Sequence, residues 1–486
     1  MQDRVNFKVI ATGLNFLMSI VIGIVVPRAI GPASYGDFGY IMSTYAFLFQ
    51  FLMFTSSTAY IYFLSHDKHK VEDVNMFYMM FLGIISFLVL IIGLITVNSV
   101  FGIKYLWNGL DNQYLLYLGL MFGVFINFQE RLIEFSDSTS QTIKSEKLKL
   151  VSRFMMVLTV IVFIFLDKLD IYWFLILSIL NLTLFFTLFF RHVNFNLSKI
   201  DLKVSKEIFD DFYIYLKPLI VFTVVAAIYS YLGKYVLQAS SGSLEQGYYN
   251  FAFQLALMPV AFIASIMTIY MSEMTKKFKA NDIGGVKDIL VNSIFKIYAI
   301  HACITFFMLV NAKSIILLTV GEQFLGAIGA LQALSIFSLL HTFGMLSGNL
   351  FFSSGRNKQY SIINSVVMLM GVFYLAYILF ESDLSATHLA MVMTCFYGAR
   401  VMVQLYINMN FLLINKFNFI SELFLATLMI FGTLKIVNLF AVNLFFNLLL
   451  SFLIIVIINF IFKDYIGIKN IKRGIKNIKR KMHGLS

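Results

Sequence analysis

The chain alternates long apolar stretches with short polar connections along most of its length. A helix of about 20 apolar residues is long enough to cross the hydrocarbon core of a membrane, so each stretch of that length predicts one transmembrane span. Several stretches exceed that length, and we expect those helices to tilt or to extend into the interface. The pattern predicts fourteen spans, at residues 9–28, 38–64, 75–97, 114–135, 150–167, 171–190, 213–239, 246–272, 289–311, 324–353, 361–380, 385–408, 422–440 and 442–462.

The composition agrees with an all-α polytopic membrane protein. Of the 486 residues, 60% are hydrophobic and only 13% are charged, whereas a soluble domain carries about 25% charged residues. The two cysteines, Cys303 and Cys395, both lie inside predicted spans, which argues against a disulfide framework and against a cysteine-based metal site. Neither a P-loop nor an HExxH motif occurs. We therefore expect a protein without enzymatic activity, without a cofactor and without a bound metal.

The distribution of lysine and arginine predicts the orientation of the chain. If both termini are cytoplasmic, 29 of the 37 basic residues fall in the inner connections and five fall in the outer ones. Such an excess on one side is the positive-inside pattern, which sets the orientation of membrane proteins. The net charge of +12 is then mostly a property of the topology, and we expect no nucleic-acid partner.

The pattern of spans repeats once along the chain. Six spans within 1–191 precede a cytoplasmic linker at 192–212, and six more follow within 213–408. The second span of the first half begins with YGDFGYIMSTYAF, and the corresponding span of the other half begins with GYYNFAFQLALMP. Because six is even, both halves keep one orientation, which predicts two six-helix lobes around a central cavity. The two spans within 409–462 are then a peripheral addition.

The tail at 463–486 carries the motif GIKNIKR twice, at 467–473 and at 474–480. Its isoleucines recur at helical spacing, so they share one face, with lysine and arginine around the rest. We predict a basic amphipathic helix that lies on the inner leaflet and binds anionic lipid. A docking site for a cytoplasmic partner is the alternative.

Three blocks of the sequence carry a family resemblance. They are PRAIGPASYGDFGYIMS at 27–43, GKYVLQASSGSLEQGYYNFAFQLALMP at 233–259, and the segment 321–365 that begins with GEQFLGAIGALQALS. The blocks resemble bacterial polysaccharide-transport flippases for O-antigen or capsule repeat units, within the multidrug/oligosaccharidyl-lipid/polysaccharide exporter superfamily. The resemblance covers roughly residues 1–410. At this place the family shows a basic residue, then Gly-Pro, then Tyr-Gly and an aromatic residue. The matching residues in this sequence are Arg28, Gly31, Pro32, Tyr35, Gly36 and Phe38.

The resemblance implies a flippase that moves an undecaprenyl-diphosphate-linked oligosaccharide from the cytoplasmic to the periplasmic leaflet of the bacterial inner membrane. The transported units would be used in surface polysaccharide assembly, for example of O-antigen in lipopolysaccharide. The resemblance also implies a polysaccharide polymerase and a chain-length regulator as partners. A diphosphate in bare hydrocarbon is prohibitively costly, so the path must be a wet, cationic cavity that operates by alternating access. One departure is Gly233 followed by Lys234, where many relatives carry an acidic residue and then a basic one.

Basic side chains within the membrane are the candidates for lining that cavity. Lys234, Lys296 and Arg400 lie inside predicted spans, and Arg28 lies at the outer end of the first span. A charge at the centre of a membrane helix costs about 3 kcal/mol on insertion scales and therefore marks a candidate functional site. We predict that these four residues bind the diphosphate and the glycan. Simpler roles stay open, because the lysines could snorkel to an interface and Arg400 could pair with Glu130.

Proton coupling has its own candidates. Glu130 and Glu134 are the acidic residues well inside predicted spans, and His301 and His341 lie mid-span. Glu130 and His341 are the candidates for coupling; the alternatives are an interfacial ion pair with Arg131 and helix-to-helix hydrogen bonds from the histidines. Amides within spans could line a sugar path or bond neighbouring helices, and they are Asn15, Asn127, Asn181, Gln254, Asn292, Gln332, Asn364 and Gln404.

The four prolines predict where the protein flexes. All of them, at 27, 32, 218 and 259, lie in the first helix pair of a lobe or in its connection. Pro27 and Pro32 let the first span end and bend. We expect this bend to carry the guanidinium of Arg28 toward the cavity, where its planar fork can hold a phosphate.

Two other classes of protein stay open. A membrane polysaccharide polymerase or ligase should carry a large external catalytic loop, but the longest predicted outer loop, 98–113, is short and holds only Asp111 as an acid. A drug or cation antiporter of the same superfamily should carry an acid within the membrane, and predicted spans 1, 2, 7 and 8 contain no Asp or Glu.

Overall fold

The computed structural model describes residues 2–54, 56–64, 70–139, 141–195, 202–217, 219–381 and 384–415, together with the single positions 421, 427, 431 and 432. Within these residues the regular secondary structure is helical. The predicted spans at 422–440 and 442–462 lie almost entirely outside the described residues, and the tail at 463–486 lies wholly outside them.

Seven helices form the first half of the described chain. Their bounds are α1 Gln2–Met53, α2 Ser56–Leu64, α3 Val71–Val97, α4 Val100–Tyr105, α5 Gln113–Ser138, α6 Thr142–Phe165 and α7 Ile171–His192.

The other half begins with an amphipathic helix and continues with long apolar ones. The bounds are α8 Leu202–Leu216, α9 Ile220–Lys279, α10 Ile283–Val310, α11 Ala312–Thr319, α12 Ile328–Ser353, α13 Asn357–Glu381 and α14 Ala386–Phe411, with a 3-10 turn at Glu322–Ala327 before α12.

The protein is a multi-pass membrane protein. Nine of the described helices are long and apolar enough to cross a membrane, or ten if His301–Val310 and Ala312–Thr319, bent by 80° at their junction, count as one span. The helices α1 and α9 each contain most of two predicted spans, joined through a glycine. Each of the first twelve predicted spans overlaps a described helix, although the second is divided between α1 and α2 and the seventh between α8 and α9. The predicted all-α fold class is confirmed.

Side-chain caps mark the starts of α5, α7 and α10. The side chains of Asn112 and Asp170 accept hydrogen bonds from the backbone N–H groups of Leu115 and Trp173, at 3.2 and 2.8 Å. Asp282 caps α10 in the same way, through the N–H of Gly285 at 2.7 Å. These caps satisfy N–H groups that have no partner within the helix, which fixes where each helix begins.

Some helix boundaries differ from the predicted ones. The predicted fifth span begins at 150, but α6 begins at Thr142, because the polar segment TIKSEKLKL continues the helix below the apolar stretch. The predicted seventh span begins at 213, whereas α9 begins at Ile220. Pro218 explains this second difference, since proline lacks an N–H and disfavours helical backbone at the residue before it.

The described helices form two compact units. Unit 1 comprises Met1–Leu255, Ile316–Ala330 and Ser361–Phe396, and unit 2 comprises Ala256–Ile315, Leu331–Tyr360 and Tyr397–Ser486. The helices α9, α12, α13 and α14 each contribute residues to both units, so the division does not follow the predicted lobes. The lobe boundaries at 191 and 213 stay a prediction.

Aromatic side chains dominate the core of unit 1. Tyr60 stacks on Tyr78 with ring centroids 4.0 Å apart, and Tyr45 contacts Trp107 at 5.3 Å. All four side chains are fully buried. Large aromatic rings bury extensive apolar area and hold neighbouring helices at fixed distances, which makes this core a firm support for α1.

The core of unit 2 is mostly aliphatic. Met267, Leu290 and Ile294 are buried together with Leu346 and Leu350. This packing joins residues of α9, α10 and α12 within the unit, and it surrounds a small set of buried polar groups described below.

Candidate functional site

Two glycines break the longest helices in the same way. Gly31 in α1 has φ 81° and ψ 166°, and Gly242 in α9 has φ 73° and ψ −169°. This region of backbone conformation is essentially restricted to glycine. We call the two breaks the Gly31 elbow and the Gly242 elbow; each joins two predicted spans, and they lie 211 residues apart in the sequence.

The helices that leave the two elbows touch through their backbones. A methyl group on Gly36 would lie 1.8 Å from the carbonyl oxygen of Ser243, and one on Gly247 would lie 1.9 Å from the carbonyl oxygen of Pro32. The spacing of 211 residues also relates Gly36 to Gly247 and Pro32 to Ser243. The contact is therefore reciprocal, as a two-fold relation between repeated segments requires. We call this contact, within unit 1, the elbow joint.

The joint continues one turn further along both helices. A methyl group on Gly39 would lie 1.8 Å from Nδ2 of the Asn250 side chain, and Asn250 is the counterpart of Gly39 in the repeat. Small residues at such positions let membrane helices approach closely. The sequence blocks YGDFGY and GYYNF carried this signal, because their glycines align at the same spacing as the two elbows, but no pairing between them was predicted.

Side-chain hydrogen bonds support the joint on both flanks. Tyr35 donates its hydroxyl proton to Oε1 of Gln254, and Ser243 donates to Oδ1 of Asp37. Further along, Tyr231 stacks on Phe47 with ring centroids 4.5 Å apart. Asp37 lies between the predicted spans 9–28 and 38–64, but α1 runs through it, so a carboxylate does lie at the joint.

Other connections meet around the elbows. Gln323 donates from Nε2 to the carbonyl oxygen of Arg28 at 2.9 Å, and Ser241 donates to the carbonyl oxygen of Leu384 at 2.8 Å. The basic-residue pattern predicts that all of these segments lie on the outer side. The structure brings them together within unit 1, and the assignment of that side as outer stays a prediction.

Arg28 and Lys234 lie on the helices that lead into the two elbows. The Arg28 side chain is exposed, three residues before Gly31. Lys234 is half-buried, with Nζ 5.7 Å from the centroid of the Phe253 ring. Among the described residues, no carboxylate forms a salt bridge with either side chain. No described carboxylate neutralises either charge, and the role of both residues in binding stays a prediction.

Arg400 lies in a cluster of unit 2. Its Cζ is 3.9 Å from the centroid of the Tyr397 ring, and His341 stacks on the same ring at 5.4 Å. Arg400 is 7% exposed. Neither its Nε nor the Nδ1 of His341 has a hydrogen-bond partner among the described residues. The predicted roles of Arg400 in binding and of His341 in coupling are not decided by this geometry.

His301 has a different environment from His341. Its Nε2 lies 2.9 Å from the hydroxyl of Ser338, and its Nδ1 lies 2.7 Å from the hydroxyl of Thr342. Both ring nitrogens are thus bonded to α12, which fits a histidine that joins two helices.

The remaining candidates for coupling and binding are Glu130, Glu134 and Lys296. Glu130 and Glu134 both pair with Arg131, at 3.0 and 2.7 Å, which matches the alternative of a local ion pair on α5. The backbone of Lys296 lies in α10, but its side chain is outside the described residues. In the described chain no group of three or more His, Cys, Asp or Glu side chains could hold a metal ion.

Comparisons with solved structures identify the fold. The chain is similar to the lipid II flippase MurJ in an inward closed conformation, with a TM-score of 0.70, 15% identity, and coverage of 97% of this chain and 100% of that one. It is also similar to a multidrug resistance MATE family transporter of the MOP superfamily in an inward-facing conformation, with a TM-score of 0.60, 16% identity, and coverage of 82% and 94%. The protein thus has the all-α membrane transporter fold that MATE and MurJ share.

A third similar structure is a MOP superfamily transporter from Pyrococcus furiosus, described as having a binding pocket of reverse polarity. Its TM-score is 0.55 at 15% identity, and the match covers 84% of this chain and 95% of that one. No protein-family model matches the sequence. No curated protein sequence matches it either.

Proposed function

We propose that this protein is a flippase for an undecaprenyl-diphosphate-linked oligosaccharide, which it moves from the cytoplasmic to the periplasmic leaflet for O-antigen or capsule assembly. The observation that carries the proposal is the elbow joint, where two repeated helix pairs meet through glycine backbones, with Arg28 and Lys234 on the helices that lead into the two elbows. Support also comes from the three sequence blocks and from the similarity in fold to a lipid II flippase.

The joint suits alternating access. Backbone contacts through Gly36 and Gly247 need no rearrangement of large side chains to form or to separate. A packed contact of this kind has two discrete arrangements, closed or parted, which is what a gate requires. In the proposed cycle the joint is closed while the substrate enters from the cytoplasmic side, and it parts to release the substrate outward.

The basic residues supply the attraction for the diphosphate. The guanidinium of Arg28 can hold a phosphate with two parallel hydrogen bonds, and Lys234 adds a point charge. The membrane potential helps, because moving two negative charges outward from a negative interior is favourable by about 4–5 kcal/mol at about 100 mV. The transport step needs no covalent chemistry.

The test is complementation of a deletion strain, with analysis of which lipid-linked intermediate accumulates and on which leaflet. We expect complete repeat units on the inner leaflet when the gene is absent. Arg28→Ala and Lys234→Ala should each lower export at least tenfold at normal protein levels. Arg191→Ala and Lys168→Ala, which remove exposed charges at helix ends, are the matched controls and should export normally.

Two results would contradict the proposal. Normal glycan export by both the Arg28→Ala and Lys234→Ala proteins would remove the assigned roles of these residues. Accumulation of single repeat units on the outer leaflet in the deletion strain would instead point to a polymerase.

A drug or cation antiporter is the second candidate, and Asp37 is the observation that favours it. This carboxylate lies within α1 at the joint, where it accepts a hydrogen bond from Ser243. A cation exporter needs such an acid for binding, whereas the proposed flippase uses Asp37 only to support the closed joint.

A further inference from the structure

A cavity of about 360 Å³ lies among α1, α5, α6 and α7 of unit 1. Lys149 and Arg153 of α6 and Gln129 of α5 line part of it, and aromatic side chains line another part. None of the described residues that line the cavity is acidic. The cavity therefore offers two positive charges without a carboxylate of its own.

Arg153 lies far from the end of its helix. It is eleven residues beyond Thr142, where α6 begins, and a rise of 1.5 Å per residue places it about 16 Å along the axis. The predicted fifth span begins at 150, only three residues before Arg153, and the positive-inside pattern places Arg153 with the inner connections. Because the polar segment 142–150 extends the helix before the apolar stretch, Arg153 lies near the polar end of that stretch, and an ionisable side chain within a membrane helix is a candidate functional group.

The sequence of α6 directs these residues to the cavity. Lys149, Ser152, Arg153 and Met156 follow the spacing that places side chains on one face of a helix. All four line the cavity, while Val151 and Phe154 on other faces are exposed. The polar side chains of Lys149, Ser152 and Arg153 thus face the cavity between the helices, whereas the apolar side chains of Val151 and Phe154 face outward.

The hydroxyl and amide groups beside Arg153 satisfy each other. Ser152 donates from Oγ to Oδ1 of Asn181 at 2.6 Å. This bond joins α6 to α7 and involves neutral groups only, so it does not compensate the charge of Arg153. Among the described residues, no salt bridge involves Arg153 or Lys149.

The opposite part of the cavity is aromatic. Phe38 packs edge-on against Phe174 with ring centroids 5.2 Å apart, and against Phe122 at 6.3 Å. Phe174 belongs to a buried apolar cluster with Val26, Met156 and Val160, and Phe38 packs against this cluster. The lining of the cavity is consequently part cationic and part aromatic, which suits a ligand with an anionic group on a ring.

We propose that this cavity binds a small organic anion, consisting of one carboxylate or phosphate group on a body of about one sugar ring. Arg153 and Lys149 hold the anionic group through charge-assisted hydrogen bonds, and the ring lies against Phe38 and Phe174. The volume is at the lower end of the range for small-molecule sites, about 300–1,000 Å³. The site is separate from Arg28 and Lys234, and it does not depend on the proposed flippase activity.

The test is calorimetric titration of the full-length protein in lipid nanodiscs with four probes: glucuronate, glucose 1-phosphate, inorganic phosphate and glucose. We expect saturable binding of glucuronate or of glucose 1-phosphate, which distinguishes carboxylate from phosphate recognition, and at least tenfold weaker binding of glucose. Inorganic phosphate should also bind at least tenfold more weakly than the preferred ring-bearing anion.

Variants locate the site. Arg153→Gln should weaken binding at least tenfold, Arg153→Lys should weaken it less, and Lys149→Gln should give an independent loss. Arg191→Gln, at an exposed arginine on α7, should bind as the parent protein does. Unchanged thermal unfolding shows that each variant is folded.

Three outcomes would overturn the inference. They are the absence of saturable binding for all four probes, equal binding of glucose and the anions, and binding that Arg153→Gln and Lys149→Gln leave within twofold of the parent value. Export measured in the same variants does not enter these criteria, so a failure here is distinguishable from a failure of the flippase proposal.

Discussion

The Gly31 elbow and the Gly242 elbow have the same backbone conformation, but the charged side chains near them differ. Both glycines adopt the same conformation, and both are followed after five residues by a glycine in the joint. The repeat spacing relates Lys234 to Gly23 and Arg28 to Ala239, so neither charge is repeated. The two repeated segments therefore share the glycine geometry that closes the joint, but they differ in the basic side chains, Arg28 and Lys234.

The prolines add to this difference. The first elbow is flanked by Pro27 and Pro32, whereas Gln238 and Ser243 occupy the corresponding positions of the second. Ser243 uses its side chain to donate to Asp37, which proline cannot do. The first elbow thus lacks two backbone N–H groups, and the second supplies the side-chain hydrogen bond that joins them.

The largest predicted effect comes from filling the joint. Gly36→Ala or Gly247→Ala places a methyl group within 2 Å of a carbonyl oxygen, so the helices must separate. We expect export to fall at least tenfold, measured as lipid-linked repeat units that remain on the inner leaflet. Gly83→Ala is the matched control because a methyl group there meets nothing within 4 Å. Normal export by both joint variants would show that the contact is not needed.

The second effect concerns the elbows themselves. Gly31→Ala and Gly242→Ala meet no close neighbour, but they force alanine into a glycine-only conformation at a cost of about 1–3 kcal/mol. We expect each to unfold several degrees below the parent in a thermal scan. Gly13→Ala, inside the helical part of α1 and in open space, should be neutral or stabilising. Equal unfolding temperatures for all three variants would contradict the conformational argument.

The third predicted effect is a change in the ratio of closed to parted elbow joints. Tyr35→Phe removes the hydrogen bond to Gln254 and keeps the ring. A net loss of about 1 kcal/mol should lower the ratio of closed to parted joints about fivefold. Distances between spin labels at positions 29 and 239, both exposed, would measure that ratio. An unchanged distance distribution would show that this bond does not hold the joint.

The smallest effect separates the two candidate functions. Asp37→Asn keeps an oxygen that accepts from Ser243, so the flippase account predicts less than a twofold change in glycan export. A cation antiporter would lose its binding acid, and its export of a cationic dye would fall to background. Complete loss of glycan export in this variant would mean that Asp37 does more than support the joint.

The sequence predicted spans better than it predicted sites. Hydrophobic length identified the long apolar helices through α14, since the membrane demands about 20 apolar residues wherever a helix crosses it. It did not identify the short helices α4 and α11 or the amphipathic helix α8. Helix ends were missed where polar residues extend a helix beyond the apolar stretch, as at Thr142. Hydropathy also does not reveal that Arg153 lines a cavity. The joint was missed because close approach of Gly36 and Gly247 depends on two segments far apart in sequence, which periodicity alone does not pair.

The candidate charges illustrate the same limit. Hydropathy marked Arg28, Lys234 and Arg400 as unusual because each is costly in or near a membrane helix. It did not indicate that Arg400 packs on Tyr397, or that His301 is bonded at both nitrogens while His341 is not. Those differences arise from neighbours on other helices.

The most direct test of the central claim, that the elbow joint must open for transport, is a reversible cross-link across it. Cysteines at positions 37 and 243, whose side chains are hydrogen-bonded in the closed joint, would be introduced after Cys303 and Cys395 are replaced by serine. We expect export in membrane vesicles to fall at least tenfold on oxidation and to recover on reduction. Export by the fully cross-linked protein at the rate of the reduced protein would contradict the account.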